Sequence, residues 1–264
     1  MSKQSDTDVS SELEAKTNFR ELQVFTIRSG IPGFDEALGQ GLPTGNIYLV
    51  SGVSGSNNIL FVQQILYNLV ASKSQVTYYN LEHTSSDIIR DLSIYKMDIR
   101  EYVDDASWDF VRLILPKMKV IQDLLSDNPL EEKIELGGTL SPLMDHFYDS
   151  VKNGRNTAIH MSYLIRNSIL EDVQNMLMFM REAVRKHGGV HFLLLTNDVN
   201  SADSVAVVKD FVDSVFDISI SIREQDVENI VTVQKIRNVI PKSRQIRLTI
   251  RNTGIATETI RRVD

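Results

Sequence analysis

The stretch "IYLVSGVSGSNNILFVQQILYNLVASK" constrains this chain more than any other. "IYLVSG" is a short apolar run of strand-forming residues, the pattern of a strand buried on both faces. A Gly/Ser loop follows, and then Ile59, Phe61, Ile65, Leu66 and Leu69 fall at helical spacing. A strand that enters a helix through a tight loop needs a crossover to its next parallel neighbour, which commits the chain to a helix-covered sheet. The same alternation continues. "QVTYYNLE" is predicted as the next strand and "SSDIIRDLSIYKM" as a helix capped by Ser85 or Ser86. "TAIHMSYLI" is predicted as a strand, and "EDVQNMLMFMREAVRKHGG" as a helix closed by Gly188–Gly189. "VHFLLLTND" then reads as a strand and "SVAVVKDFVDSV" as a helix. "FDISISIRE", "NIVTVQKIRN" and "QIRLTIRNTGI" alternate with period two and are expected to form an antiparallel edge. The middle, Asp98 to Gly154, is expected to be mostly helical: "DASWDFVRLILPKMKVIQDLL" and "SPLMDHFYDSVKN", with a charged loop carrying Gly137–Gly138 between them.

The first 22 residues are polar, with no apolar core of a secretory signal, and read as a disordered arm ahead of a single domain over 23–264. "SGIPGFDEALGQGLPTGN" reads as turns around a short helix at Phe34–Leu38. No apolar run approaches the roughly 20 residues that span a bilayer, and the chain has no cysteine, so thiolate chemistry and disulfides are excluded. Together these suggest a cytoplasmic protein with no membrane partner. With 28 basic against 35 acidic residues the net charge is −7, which argues against a general electrostatic grip on nucleic acid. The five histidines, His83, His146, His160, His187 and His191, are scattered, and no metal site is expected.

The loop after "IYLV" has the outline of a phosphate-binding loop, G-x-x-x-x-G-K-[ST], whose glycines free backbone N–H groups for phosphate, whose lysine neutralises charge and whose hydroxyl ligates magnesium. Gly52 holds the first position, and Val53, Ser54, Gly55 and Ser56 fill the loop. Asn57 then stands in the place of the second glycine, Asn58 in that of the lysine and Ile59 in that of the Ser/Thr. Asn57 tolerates the left-handed conformation, so the turn survives. Asn58 carries no charge and Ile59 has no atom to offer a metal. The helix N-terminus still favours weak anion binding.

"IRSGIPGFDEALGQGLPTGNIYLVSGVSGS" resembles the opening of the KaiC-like, RecA-superfamily ATPases, in which an S/T-G-I-x-G-F/L-D turn and a G-G-L-P-x-G turn lead into the phosphate-loop (Walker A) strand; the matches here are Ser29–Asp35 and Gly39–Gly45, with Gln40 in place of one glycine. The resemblance runs from about Thr26 to the C-terminus and is weakest between Asp98 and Gly154. It implies an α/β, RecA-like P-loop fold: a mostly parallel central sheet flanked by helices, with C-terminal antiparallel edge strands. The family's water-polarising Glu pair would fall on Glu82 and His83, so the second carboxylate is replaced. The Walker B strand aligns with Ala158–Ser162 and puts Met161, followed by Ser162, where the magnesium-side Asp belongs. Thr196 and Asn197 match the strand that ends near the γ-phosphate. Lys235 and Arg237 match an l-x-K-x-R-G segment whose cations, in oligomeric relatives, reach a neighbour's nucleotide. Two cations at i and i+2 on a strand share one face, which suits phosphate in trans, a partner carboxylate or plain solvent.

The resemblance thus implies a fold retained and a catalytic set lost. We expect a non-hydrolysing regulatory or scaffolding subunit with a protein partner, either a second copy or a KaiC/RecA-like paralogue, and with no cofactor and no small-molecule substrate. The alternative is residual ATP binding or slow hydrolysis in signalling, with Ser54, Ser56, Asn57, Asn58 and the helix N-terminus on phosphate and Glu82 orienting water; ATP and magnesium belong to that alternative alone.

Overall fold

The computed structural model describes residues 24–116, 128–223 and 226–258. The expected N-terminal arm lies outside them.

A ten-stranded sheet organises the chain. Its centre is β3 (Asn46–Gly52), buried at all seven residues. It pairs in parallel with β8 (Val190–Thr196) on one side and β9 (Ser214–Arg223) on the other. Beyond β8 come β7 (Asn156–His160), β4 (Val76–Asn80), β5 (Trp108–Ile114) and β6 (Glu131–Glu135), all parallel. Beyond β9 come β10 (Asp226–Lys235), β11 (Gln245–Arg251) and β12 (Gly254–Glu258), all antiparallel. A small separate ladder joins β1 (Thr26–Ile27) to β2 (Leu42–Pro43) around α1 (Phe34–Leu38).

Each face of the sheet carries its own core. Helix α2 (Asn58–Ala71) lays Phe61, Ile65, Leu66 and Leu69 on the face shared by Tyr48, Val50, Phe192 and Phe216. Phe34 of α1 closes this layer edge-on to Phe61, with ring centroids 5.0 Å apart, and to Phe216 at 5.6 Å. The opposite face presents Ile47, Leu49, Ile159 and Leu193 to α5 (Ser141–Lys152) and α7 (Leu170–His187), whose Val173, Met176, Leu177 and Met180 are buried. α3 (Ser85–Ile94), α4 (Arg100–Asp104), α6 (Ser162–Asn167) and α8 (Ala202–Phe211) complete the coverage.

The structure corrects five local expectations. The expected helix in "SWDFVRLIL" is strand β5: a strand covered on both faces shows a continuous apolar run, which periodicity alone does not separate from a buried helix. Residues 117–125 of that expected helix lie outside the described residues. Part of the charged loop is β6, "EEKIE", an edge strand that exposes Glu132, Lys133 and Glu135, as edge strands favour, and buries Glu131 and Ile134. The cap of α3 is Thr84, not Ser85 or Ser86. Its Oγ1 accepts the Asp87 N–H at 3.1 Å and the Asp87 carboxylate accepts the Thr84 N–H at 3.3 Å, a reciprocal box. The expected strand "TAIHMSYLI" stops at His160, the chain turning into α6 as Ser162 Oγ accepts the Thr196 N–H at 2.8 Å. "QIRLTIRNTGI", expected as one strand, is a hairpin. Gly254, at φ 99°, follows its turn.

Candidate functional site

All parallel strands deliver their C-terminal ends to one edge, where ligands bind in open α/β sheets. The loop 53–57 sits there between β3 and α2. Gly52 is required for space: a Cβ would meet Ser56 Oγ and lie 2.8 Å from the Ile218 carbonyl oxygen. Gly55 at φ 84° and Asn57 at φ 59° supply the left-handed turns. Asn57 therefore does hold the loop shape without a glycine, its Nδ2 bonding the Gly55 carbonyl at 3.3 Å.

What the loop's side chains do is more informative. Asn58, in the lysine position, is buried, and its Nδ2 donates to the Leu195 carbonyl at 3.2 Å, turned into the sheet. Ile59 is half-buried and offers no ligand atom. Ser56 Oγ is buried with no hydrogen-bond partner among the described residues. The Ser54 N–H donates to the Asp198 carboxylate, at 3.1 Å from one oxygen and 3.3 Å from the other. That bond holds Asp198 below its ordinary carboxylate range. Met161 is fully buried in the α5/α7 core, and Ser162 is spent on the Thr196 N–H.

Glu82 and His83 follow β4 and are exposed. The His83 ring lies 6.4 Å from that of His160, which is buried. Gln63 Nε2 donates to Tyr78 Oη at 3.1 Å, so the Tyr78 hydroxyl donates onward to His160 Nε2 at 2.6 Å. Burial, and then the neighbouring His83, push the His160 pKa down to about 3. His160 is a neutral core acceptor, and no cluster of three metal-ligating side chains exists among the described residues. Spacing also did not reveal a buried ion pair: Arg112 Nη1 meets Glu131 at 3.1 Å, and Glu131 also accepts the Ser85 N–H at the start of α3. Asp217 is a second unforeseen group, accepting from Ser51 Oγ and, at 2.9 Å, from Asn197 Nδ2.

Lys235 and Arg237 lie at the other end of the sheet. Lys235 Nζ donates to the carbonyls of Asp210, at 3.2 Å, and Val212. Arg237 Nη1 meets Asp213 at 3.0 Å, and Asp213 also accepts the Ile47 N–H at 3.2 Å. Ile47 is the second residue of β3 and Gly52 ends it, so this cluster is about 17 Å from the loop of its own chain.

A Mg-triphosphate needs a cation at the loop, a hydroxyl at its helix and a carboxylate on the third strand. Positions 58, 59 and 161 supply an inward-turned amide, an aliphatic chain and a buried thioether, and a carboxylate already faces the loop amide. These residues do not fit that ligand.

The fold and the loop at its parallel edge define a RecA-like P-loop α/β protein. A solved KaiC-like protein from Pyrococcus horikoshii superposes with a TM-score of 0.72 over 90% of this chain and 100% of its own, at 17% identity. The flagellar accessory protein FlaH from Methanocaldococcus jannaschii gives 0.73 over the same shares, at 15% identity. The family profile "ATPase: KaiC" matches residues 27–260, and the chain belongs to that family. The circadian clock oscillator protein KaiC of Parathermosynechococcus lividus is 38% identical over 78 residues, 29% of this chain but only 14% of that protein. Among the described residues no helix is long and apolar enough to cross a membrane.

Proposed function

We propose that this KaiC-family domain is a pseudo-ATPase that acts as a regulatory or scaffolding subunit beside an active paralogue. The observation that carries this is the fate of the lysine position: the Asn58 amide caps a strand carbonyl instead of facing the loop. Ile59 and Met161 support it independently, since neither offers magnesium an oxygen. Lys235 and Arg237 serve the partner under this reading, because they lie about a full strand length from their own loop. Arg237 remains 46% exposed while it pairs with Asp213 and so stays within reach of a neighbour's phosphate or carboxylate.

Purified protein incubated with MgATP is expected to release no phosphate above a blank. Co-expression with KaiC-like paralogues is expected to yield a complex whose ATPase rate falls when Lys235 and Arg237 are both changed to Ala. Turnover by the isolated chain, or a partner indifferent to the double change, would refute the proposal.

A second reading, residual nucleotide binding, is favoured by one observation: Gly55 and Asn57 keep the left-handed turns that shape an anion cradle.

A further inference from the structure

The short turn Asn197–Val199, directly after β8, is pinned from two sides. Asn200 Nδ2 bonds the Thr196 carbonyl at 2.8 Å, and Asn197 Nδ2 bonds Asp217 at 2.9 Å. Between these anchors Asp198 projects its carboxylate onto the backbone N–H of Ser54. β8 is the strand hydrogen-bonded to β3, in register up to the pair Gly52 and Thr196, so turn and loop rise side by side from neighbouring strand ends. A backbone N–H in such a loop is the group that would otherwise donate to a phosphate oxygen.

We propose that Asp198 is a tethered internal anion that occupies the phosphate loop and closes it to phosphate ligands. The carboxylate supplies the negative charge for which the loop amide is suited, and it repels any second anion. Asn58 offers no cation to offset that repulsion. Asp198 therefore does two things at once: it keeps the loop folded without ligand, and it excludes pyrophosphate-bearing molecules. This rests on reading the loop as the remnant of a phosphate site.

The test is calorimetric titration of the full-length chain, as wild type, Asp198→Asn and Asp198→Ala, with inorganic pyrophosphate and then with ATP, both without magnesium. Loss of one adjacent like charge is expected to tighten pyrophosphate binding by about tenfold or more in both variants. Asp203→Asn, which removes an exposed charge from the next helix, is expected to leave binding at the wild-type level. The Ser54 amide resonance is expected to shift on Asp198→Asn and to shift again on addition of pyrophosphate to that variant. Folded Asp198 variants that bind pyrophosphate no better than wild type would overturn the plug, as would equal tightening by Asp203→Asn. The phosphate-loop reading fails differently: pyrophosphate would then leave the Ser54 resonance unmoved in every variant, whereas turnover of MgATP by wild type would sink only the pseudo-ATPase proposal.

Discussion

Arg237→Ala is expected to lower the stability of the isolated chain by about 1–2 kcal/mol. The reason lies at Asp213, whose side chain is 3% exposed and which links three elements. Its carboxylate takes Arg237 at 3.0 Å, the Ile47 N–H at 3.2 Å and, more loosely, Arg185 at 3.7 Å. Removing one partner from a buried pair costs about 3–5 kcal/mol when the remaining charge is left alone. Here it is not left alone: Arg185 stays beside it, and Arg237 is itself nearly half exposed, so solvent screens part of the interaction. The remainder is about the size of one hydrogen bond to a buried charge. For a chain of this length about 2–4 °C of Tm accompanies each kcal/mol, so a thermal melt should fall by about 2–8 °C. Arg237→Lys, which keeps the charge but loses the planar fork, should fall less. An unchanged melt for Arg237→Ala would refute the structural role and leave Arg237 wholly available to a partner. The outcome also fixes how partner assays are read, because a destabilised variant loses a complex for reasons unrelated to contact in trans.

Acid should weaken the fold through His160 and His191, whose burial holds their pKa values down to about 3 and about 4 against an ordinary 6.5. Both stay neutral when folded and bind protons when unfolded, so stability drops as pH falls from about 6.5 towards 4, by up to about 1.4 kcal/mol per pH unit for each; urea midpoints at pH 7 and 5 would measure it, and no dependence in that window would contradict it. Gly52→Ala should cost about 1–3 kcal/mol by overpacking against Ser56 and the Ile218 carbonyl, seen as a lower denaturation midpoint, with no loss meaning the loop relaxes freely. Gln64→Leu should cost about 2–4 kcal/mol, because Gln64 both donates to the Ile255 carbonyl at 2.8 Å and accepts the Ile255 N–H, tying α2 to β12; faster amide exchange at Ile255 would be the local signature.

The strand–loop–helix at residues 46–71 and the parallel alternation after it were legible because each carries a distinct period and a Gly/Ser loop between them. The turn glycines placed the family, and the antiparallel C-terminal edge followed from period-two strands. β5 was not legible, since a doubly covered strand leaves no polar face to set its period. At the site, the missing Lys, Ser/Thr and Asp could be read position by position. Where the replacements point could not: nothing local in "SNNIL" says that Asn58 caps Leu195, 137 residues away. Asp198 was visible in "LLLTND" but anonymous, because its role depends on a turn 144 residues from Ser54. Asp213, Asp217 and the Arg112–Glu131 pair are long-range partnerships of the same kind, set by strand order and not by spacing.

Under the proposed function the loop does not serve a magnesium triphosphate. Calorimetric titration of the wild-type chain with ATP and with ADP, each with and without magnesium, tests it most directly. No magnesium-dependent binding of either nucleotide is expected, since Ile59 and Met161 supply no metal-side oxygen. Clear binding of ATP that requires magnesium would contradict it.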